Sequence, residues 1–302
     1  MCHPMAVTTA PVRARSRASA YVALTKPRII ELLLVTTVPT MVVAARGLPS
    51  GWLVLATLAG GTLAAGGANA INMYVDRDID KIMKRTRNRP LVTGEIEPAN
   101  ALMFALVLEA AAFALLWTTV RPISAVLALS ATLFYVFVYT LWLKRTSTNN
   151  IVIGGAAGAV PVLVGWSAVT GGLGIAPFVL FALIFVWTPP HFWALAIRYK
   201  DDYAAAEVPM LPAVASMDDT CRQIELYTVV VLAVSLLLAP AAHLGALYLA
   251  SAGVLGGVFR LRAVQLRREP TAKRAMLLFS WSITYLTVLF SAMALDQLLR
   301  FR

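Results

Sequence analysis

Three oxygen-bearing side chains recur at four-residue intervals in the segment Asn69-Ala-Ile-Asn72-Met-Tyr-Val-Asp76-Arg-Asp78-Ile-Asp80. On a helix, Asn72, Asp76 and Asp80 share one face, and Asp78 lies toward the opposite one. Carboxylates one turn apart repel, so this face calls for a cation between them. Mg²⁺ suits the set. It is a hard ion that takes one or two protein carboxylates and completes its shell with water and substrate phosphate oxygens. The Asn72 amide adds a neutral oxygen, or a donor to the phosphate. The competing expectation is a solvated helix end on which the acids pair with Arg77, Lys81, Lys84 and Arg85.

A second acidic segment, Arg198-Tyr-Lys200-Asp201-Asp202-Tyr203, offers carboxylates for another metal and cations for phosphate oxygens. Ten of the fifteen acidic residues fall in these two regions, at positions 76 to 97 and 201 to 219. Facing each other, they would clamp a diphosphate between metal and basic side chains and stabilise it as it departs, leaving a carbocation behind. Arg85, Arg87 and Arg89 extend the first region with cations that either set topology or bind phosphate and carboxylate groups, Arg89 being the first to test.

The elements that must position these groups are membrane helices. The chain has 302 residues, of which 59% are apolar and 14% charged. That is material for about nine spans of ~20 residues. The composition excludes a disordered, collagen-like or coiled-coil chain and a disulfide-stapled secreted module. Apolar runs predict spans over Ile29 to Ala45, Trp52 to Val75, Ala99 to Thr119, Ile123 to Leu143, Ile151 to Val169, Ile175 to Ile197, Ile224 to Leu238, Ala241 to Phe259 and Ala275 to Leu295. The reading is an all-α polytopic membrane protein with nine transmembrane helices, a tail over residues 1–28 and a single domain over 29–302.

The net charge of +11 would suggest a nucleic-acid partner in a soluble chain. Here alternate loops hold 22 of the 26 basic residues, which leaves Arg46, Arg121, Arg300 and Arg302 on the other side. This asymmetry predicts an N-in, C-out orientation and assigns the surplus charge to topology, with no nucleic acid involved. Lys26 and Arg28, flanking Pro27 at the first inner boundary, are accounted for in the same way. The acid-free N-terminus reads as a cytoplasmic tail with a faint likeness to a mitochondrial targeting segment, and no cleavable signal precedes Ile29. Cys2 and Cys221 suggest neither a disulfide framework nor a metal site.

The Asn72, Asp76, Asp80 pattern resembles the first aspartate-rich motif of the UbiA superfamily of intramembrane prenyltransferases. Further strings narrow the likeness to the branch of that family that farnesylates haem. They are Thr25-Lys-Pro-Arg28, Met83-Lys-Arg-Thr86 with Arg89-Pro90-Leu91, Tyr139-Thr-Leu-Trp-Leu-Lys144-Arg145, Asn150-Ile-Val-Ile-Gly-Gly155, Pro189-Pro-His191-Phe-Trp193, and Asp202-Tyr203 with Pro209-Met-Leu-Pro212. The resemblance implies a nine-helix bundle in the plasma membrane, or in the mitochondrial inner membrane of a eukaryote. It implies transfer of the farnesyl group of farnesyl diphosphate to a vinyl group of haem B with addition of water. It makes Mg²⁺ the cofactor, held with the diphosphate by Asn72, Asp76 and Asp80 and by Asp202 with Asp201 as the second set. Lys144, Tyr139, Arg85, Arg89, Arg198 and Lys200 would complete the diphosphate site. Haem A synthase and oxidase assembly factors are the protein partners it suggests.

The chain departs from the family pattern in three places. The second motif is compressed, Tyr139 and Lys144 are five apart where the superfamily pair is four apart, and Glu207 stands where small or neutral residues are common.

Two features inside the spans carry chemistry of their own. His191 follows Pro189-Pro190, about 10 Å below the inner surface if the helix is regular. It either bonds carbonyls freed by the prolines or meets haem, through the iron, a propionate or the attacking water. Tyr135, Tyr139 and Trp142, at i, i+4 and i+7, form either an interfacial belt or a π-lined wall for an allylic cation or porphyrin. The alternatives to haem are a benzoate or naphthoate acceptor and, from another class, a transporter. A transporter requires polar groups near the midplane, where Glu109 is the main candidate.

Overall fold

The computed structural model describes residues 16–300. The expected tail lies outside them as far as residue 15, and Cys2 with it. Among the described residues the secondary structure is helical. The helices are α1 (Arg17–Thr25), α2 (Pro27–Ala45), α3 (Gly51–Val75), α4 (Arg77–Ile82), α5 (Pro90–Thr93), α6 (Pro98–Thr119), α7 (Pro122–Leu133), a π-helix (Phe134–Leu143), α8 (Lys144–Thr146), α9 (Asn150–Thr170), α10 (Ile175–Arg198), α11 (Lys200–Ala205), α12 (Leu211–Val214), α13 (Met217–Ala241), α14 (Ala246–Arg268) and α15 (Ala272–Arg300).

Eight of the described segments are long and apolar enough to cross a membrane, with α7, the π-helix and α8 forming one continuous span. The expected first span is α2, whose 19 helical residues include the shorter apolar stretch Val35–Ala45. The chain is thus an all-α polytopic membrane protein. One pair of boundaries needs correction. The seventh and eighth spans do not part at residues 239 and 240. Helix α13 runs on through Pro240 to Ala241, and the turn lies at Ala242 to Gly245. Asp296, buried on α15, makes that turn: its carboxylate accepts from the Gly245 and Tyr248 amides at 2.5 and 3.3 Å, satisfying the open N-terminus of α14.

The spans pack as a ring in chain order, α2 against α3, then α6, α7, α9, α10, α13, α14 and α15, which closes back on α2. Further contacts cross the ring, chiefly α2 with α9 and α10 with α15, and more weakly α3 with α7, the π-helix and α9. The largest apolar cluster fills the half built by α9, α10 and α13 to α15, around Leu180, Leu183, Trp187, Phe259 and Tyr285. Glycine lets helices close where side chains would collide. A Cβ on Gly67 of α3 would stand 2.6 Å from Oε1 of Glu109 on α6. Glu109 also accepts from Thr132 Oγ1 at 3.2 Å, so this acid joins α6 to α7 where α6 lies close against α3.

Candidate active site

Helix α3 ends at Val75, and Asp76 (φ −84°, ψ 7°) hands the chain over to the short α4. The i to i+4 ladder survives the change of direction, with Asp76 N on Asn72 O at 2.9 Å and Asp80 N on Asp76 O at 2.8 Å. The three side chains therefore stay on one face, as their spacing predicts, and all three are buried. Buried carboxylates demand counter-charge, and it comes from distant segments. Lys144 pairs with Asp76 Oδ2, and Arg145 lies 3.7 Å from Oδ1. Arg89 donates to Asp80 at 2.6 Å. Lys26 donates to Asn72 Oδ1 at 2.7 Å, while Asn72 Nδ2 donates to Asp76 Oδ2 at 2.7 Å and to Thr140 Oγ1 at 3.1 Å.

The solvated helix end is overturned by these partners. Among the described residues Asp76 and Asp80 do not pair with Arg77, Lys81, Lys84 or Arg85, and Arg77 instead donates to the Tyr74 carbonyl. Lys26 is also more than a topology determinant. It sits in the left-handed region (φ 53°) between α1 and α2, which turns its side chain into the cluster. Burial pushes its ammonium well below the usual range. Arg89 and Lys144 act in the same sense, and Asp76 and Asp80 against it. Cations thus outnumber carboxylates in a desolvated space, an arrangement that favours entry of a polyanion. Asp78 points away as expected: it is exposed and bidentate to Arg145, whose hydrogen bonds hold its carboxyl well below the usual carboxylate range.

The π-helix resolves the five-residue spacing of Tyr139 and Lys144. Its bonds run from residue i+5 to residue i, and Lys144 N donates to Tyr139 O. The two residues are therefore one turn apart on one side, as a four-residue pair would be in an α-helix. The bond pattern also leaves the Tyr135 carbonyl to accept from Thr140 Oγ1 at 2.9 Å, which orients the hydroxyl that meets Asn72. Tyr135 and Tyr139 stack with centroids 5.4 Å apart, and the Tyr139 ring occupies the space that a Cβ on Gly154 would take. Trp142 does not join them: it is 60% exposed on the outer surface of the span, because π winding rotates it off their face.

The second acidic segment divides. Asp202 Oδ2 accepts from the Arg85 amide at 3.4 Å, which joins α11 to the loop after α4. Asp201 and Lys200 are exposed. Arg85 and Arg198 lie on the Tyr199 ring, each with its guanidinium 5.7 Å from the centroid. Arg198 is thereby directed along α10 toward the start of α15 and does not meet the Asp76 and Asp80 cluster. Glu207 adopts φ 53°, the left-handed conformation that favours glycine, which accounts for small residues being suited to this turn. Its exposed side chain is accommodated at some conformational cost.

His191 bonds neither proline-freed carbonyl. Its Nδ1 meets Ser282 Oγ at 2.6 Å, and its ring stacks between Trp187 and Phe279 at 4.3 and 4.6 Å. It belongs to the α10 and α15 seam and makes no contact with Asn72.

One observation tests whether a divalent cation fits the first cluster. Asp76 Oδ1 is buried and lacks a hydrogen-bond partner. It is a hard oxygen beside a second carboxylate and an amide, a donor set that Mg²⁺ completes with water and phosphate. No group of three or more His, Cys, Asp or Glu side chains converges among the described residues, so the protein alone does not build a closed metal cage.

Residues 33–287 match the model of the UbiA prenyltransferase family. The chain is 56% identical over 292 residues to a protein named protoheme IX farnesyltransferase from Parafrankia sp. (strain EAN1pec), an alignment that spans 95% of this chain and 93% of that one. Its fold is similar to a solved structure of a digeranylgeranylglyceryl phosphate synthase, with a TM-score of 0.77 at 16% identity over 93% of this chain and 99% of that one. It is also similar to a UbiA homolog from Archaeoglobus fulgidus bound to GPP and Mg²⁺, with a TM-score of 0.63 at 15% identity over 90% and 99% of the two chains.

Proposed function

The chain belongs to the UbiA prenyltransferase family, and from that membership we propose that it converts haem B to haem O by transferring the farnesyl group of farnesyl diphosphate. The observation that carries the prenyl half is the buried cluster of Asn72, Asp76 and Asp80, served by Lys26, Arg89, Lys144 and Arg145. The acceptor half is supported by relatives of that name at 51 to 56% identity over most of the chain.

In this reading Asn72, Asp76 and Asp80 hold Mg²⁺, with Asp202 as the acid of the second segment. The bound ion supplies charge neutralisation for the diphosphate. Lys144 and Arg89 turn from the carboxylates, and Lys26 from the Asn72 amide oxygen, to the phosphate oxygens and stabilise the negative charge that grows as the bond from carbon 1 of farnesyl to oxygen breaks, its electron pair leaving with the diphosphate. The stacked Tyr135 and Tyr139 rings shield the allylic cation from water on one side. The terminal vinyl carbon of haem forms the new bond to carbon 1, and the cation left on the adjacent carbon takes water and releases a proton. Lipid-embedded helices exclude bulk water from the competing hydrolysis. His191 is the proposed haem contact, and the inner face of the plasma membrane the proposed location.

The purified protein, given haem B, farnesyl diphosphate and Mg²⁺, should yield a haem heavier by one farnesyl group and one hydroxyl group. A prenylated benzoate or naphthoate, with no haem adduct, would overturn the acceptor assignment.

A further inference from the structure

Arg198 reaches a groove of about 400 Å³ between the inner ends of α10 and α15, with Ala272, Lys273, Met276, Leu277 and Ser280 as its other walls. Both basic side chains are exposed, and among the described residues neither has a carboxylate partner. The remaining walls are largely apolar. Below the groove α10 and α15 close on each other, and the next side chains along that seam are those packed around His191. His191 is seven residues before Arg198, two helical turns and so the same face of α10, about 10 Å deeper. Phe279 and Ser282 on α15, which contact His191, follow Met276 at the spacing of successive turns. The seam thus has two cations at its mouth, an apolar wall, and a flat aromatic floor with one imidazole.

A ligand complementary to this order carries two carboxylates on one edge of a flat apolar body. On the reading that haem is the acceptor, we propose that Arg198 and Lys273 bind its two propionates and that the macrocycle lies along the α10 and α15 seam toward His191. This takes Arg198 out of the diphosphate site, where its sequence neighbourhood had put it. The groove is still adjacent to that site. The Tyr199 ring that meets the Arg198 guanidinium also meets that of Arg85, and Arg85 N meets Asp202. An anionic lipid would satisfy the two cations, but it has no use for a stacked imidazole two turns below them.

The test combines two ligands and two exposed substitutions, Arg198→Gln and Lys273→Gln, in the full chain in nanodiscs of neutral lipid. Haem binding is followed by absorbance, and turnover gives a KM for each substrate. Against the wild type, haem B should bind about tenfold more tightly than its dimethyl ester, the scale of two partly screened charge-assisted contacts. In the double variant haem B should weaken to the ester's affinity while the ester is unchanged. The KM for farnesyl diphosphate should stay within twofold. A double variant that still distinguishes acid from ester overturns the inference while leaving the haem reading intact. So does a rise confined to the KM for farnesyl diphosphate, or an effect seen only when phosphatidylglycerol is present. Wild-type protein that neither binds nor converts haem overturns both.

Discussion

The two acidic segments, which meet at one end of the bundle, differ more in surroundings than in composition. At residues 76 to 80 the chain leaves a long span through a single bent residue, and two of the three aspartates are buried against cations from residues 26, 89, 144 and 145. At residues 200 to 202 it leaves a span of similar length into the start of the short helix α11, where one aspartate touches a backbone amide and the other faces outward. Charge clustering in a loop therefore locates a side of the membrane. Burial with counter-charge is what marks the place where a desolvated anion can be held. The second segment then serves as a neighbour to the first and not its equal.

The strongest way to break this comparison is to neutralise the buried pair. Asp76→Asn and Asp80→Asn, each nearly isosteric, should lower kcat/KM by about 10² to 10³, the scale for losing one preorganised electrostatic partner. Wild-type turnover in either variant would remove the metal and diphosphate assignment. Next comes Lys144→Met, which takes the nearer of its two cations from Asp76 and leaves Arg145 at 3.7 Å. We expect about a hundredfold loss in turnover, with a lower melting temperature in detergent because a buried carboxylate loses its closest counter-charge. An unchanged melting temperature would show that the ion pair carries no structural weight.

The comparison is sharpened by a pair of smaller changes. Asp202→Asn should cost about tenfold, and Asp201→Asn less than twofold, because only the former meets the Arg85 loop. The reverse order would mean that α11 presents its other face to substrate. The smallest effect is expected at Asp78, whose side chain is 61% exposed. Its folded-state pKa is depressed by Arg145, so its contribution is present above the ordinary carboxylate pKa of about 4 and fades as pH falls below it. Asp78→Asn should therefore destabilise by less than about 1 kcal/mol at pH 7. Melting curves of the two proteins should converge in acid.

Much of the molecule was legible in its residue order for a physical reason: lipid imposes strong local constraints. Each span must satisfy its own backbone bonds over about 20 apolar residues, so length and hydropathy mark the helices without knowledge of their neighbours. Where that constraint weakens, so does the reading. The turn between α13 and α14 lies in a largely apolar stretch with His243 as its one ionisable residue, and its position depends on Asp296, about 50 residues further on. The winding of 134 to 143 was hidden in the same way, since a π-helix and an α-helix are built from the same apolar residues. Only the Tyr139 and Lys144 spacing hinted at it.

By itself, then, the sequence determined the class of the protein, the course of its long apolar helices, and the face shared by Asn72, Asp76 and Asp80, all consequences of local periodicity and of the cost of bare polar groups in lipid. The tertiary structure decided which charges meet. Lys26 and Asn72 are 46 residues apart, Lys144 and Asp76 are 68, and Arg85 and Asp202 are 117. Partners at such separations are chosen by how the helices close into a ring, and that closure depends on side-chain packing between spans, which no local pattern encodes.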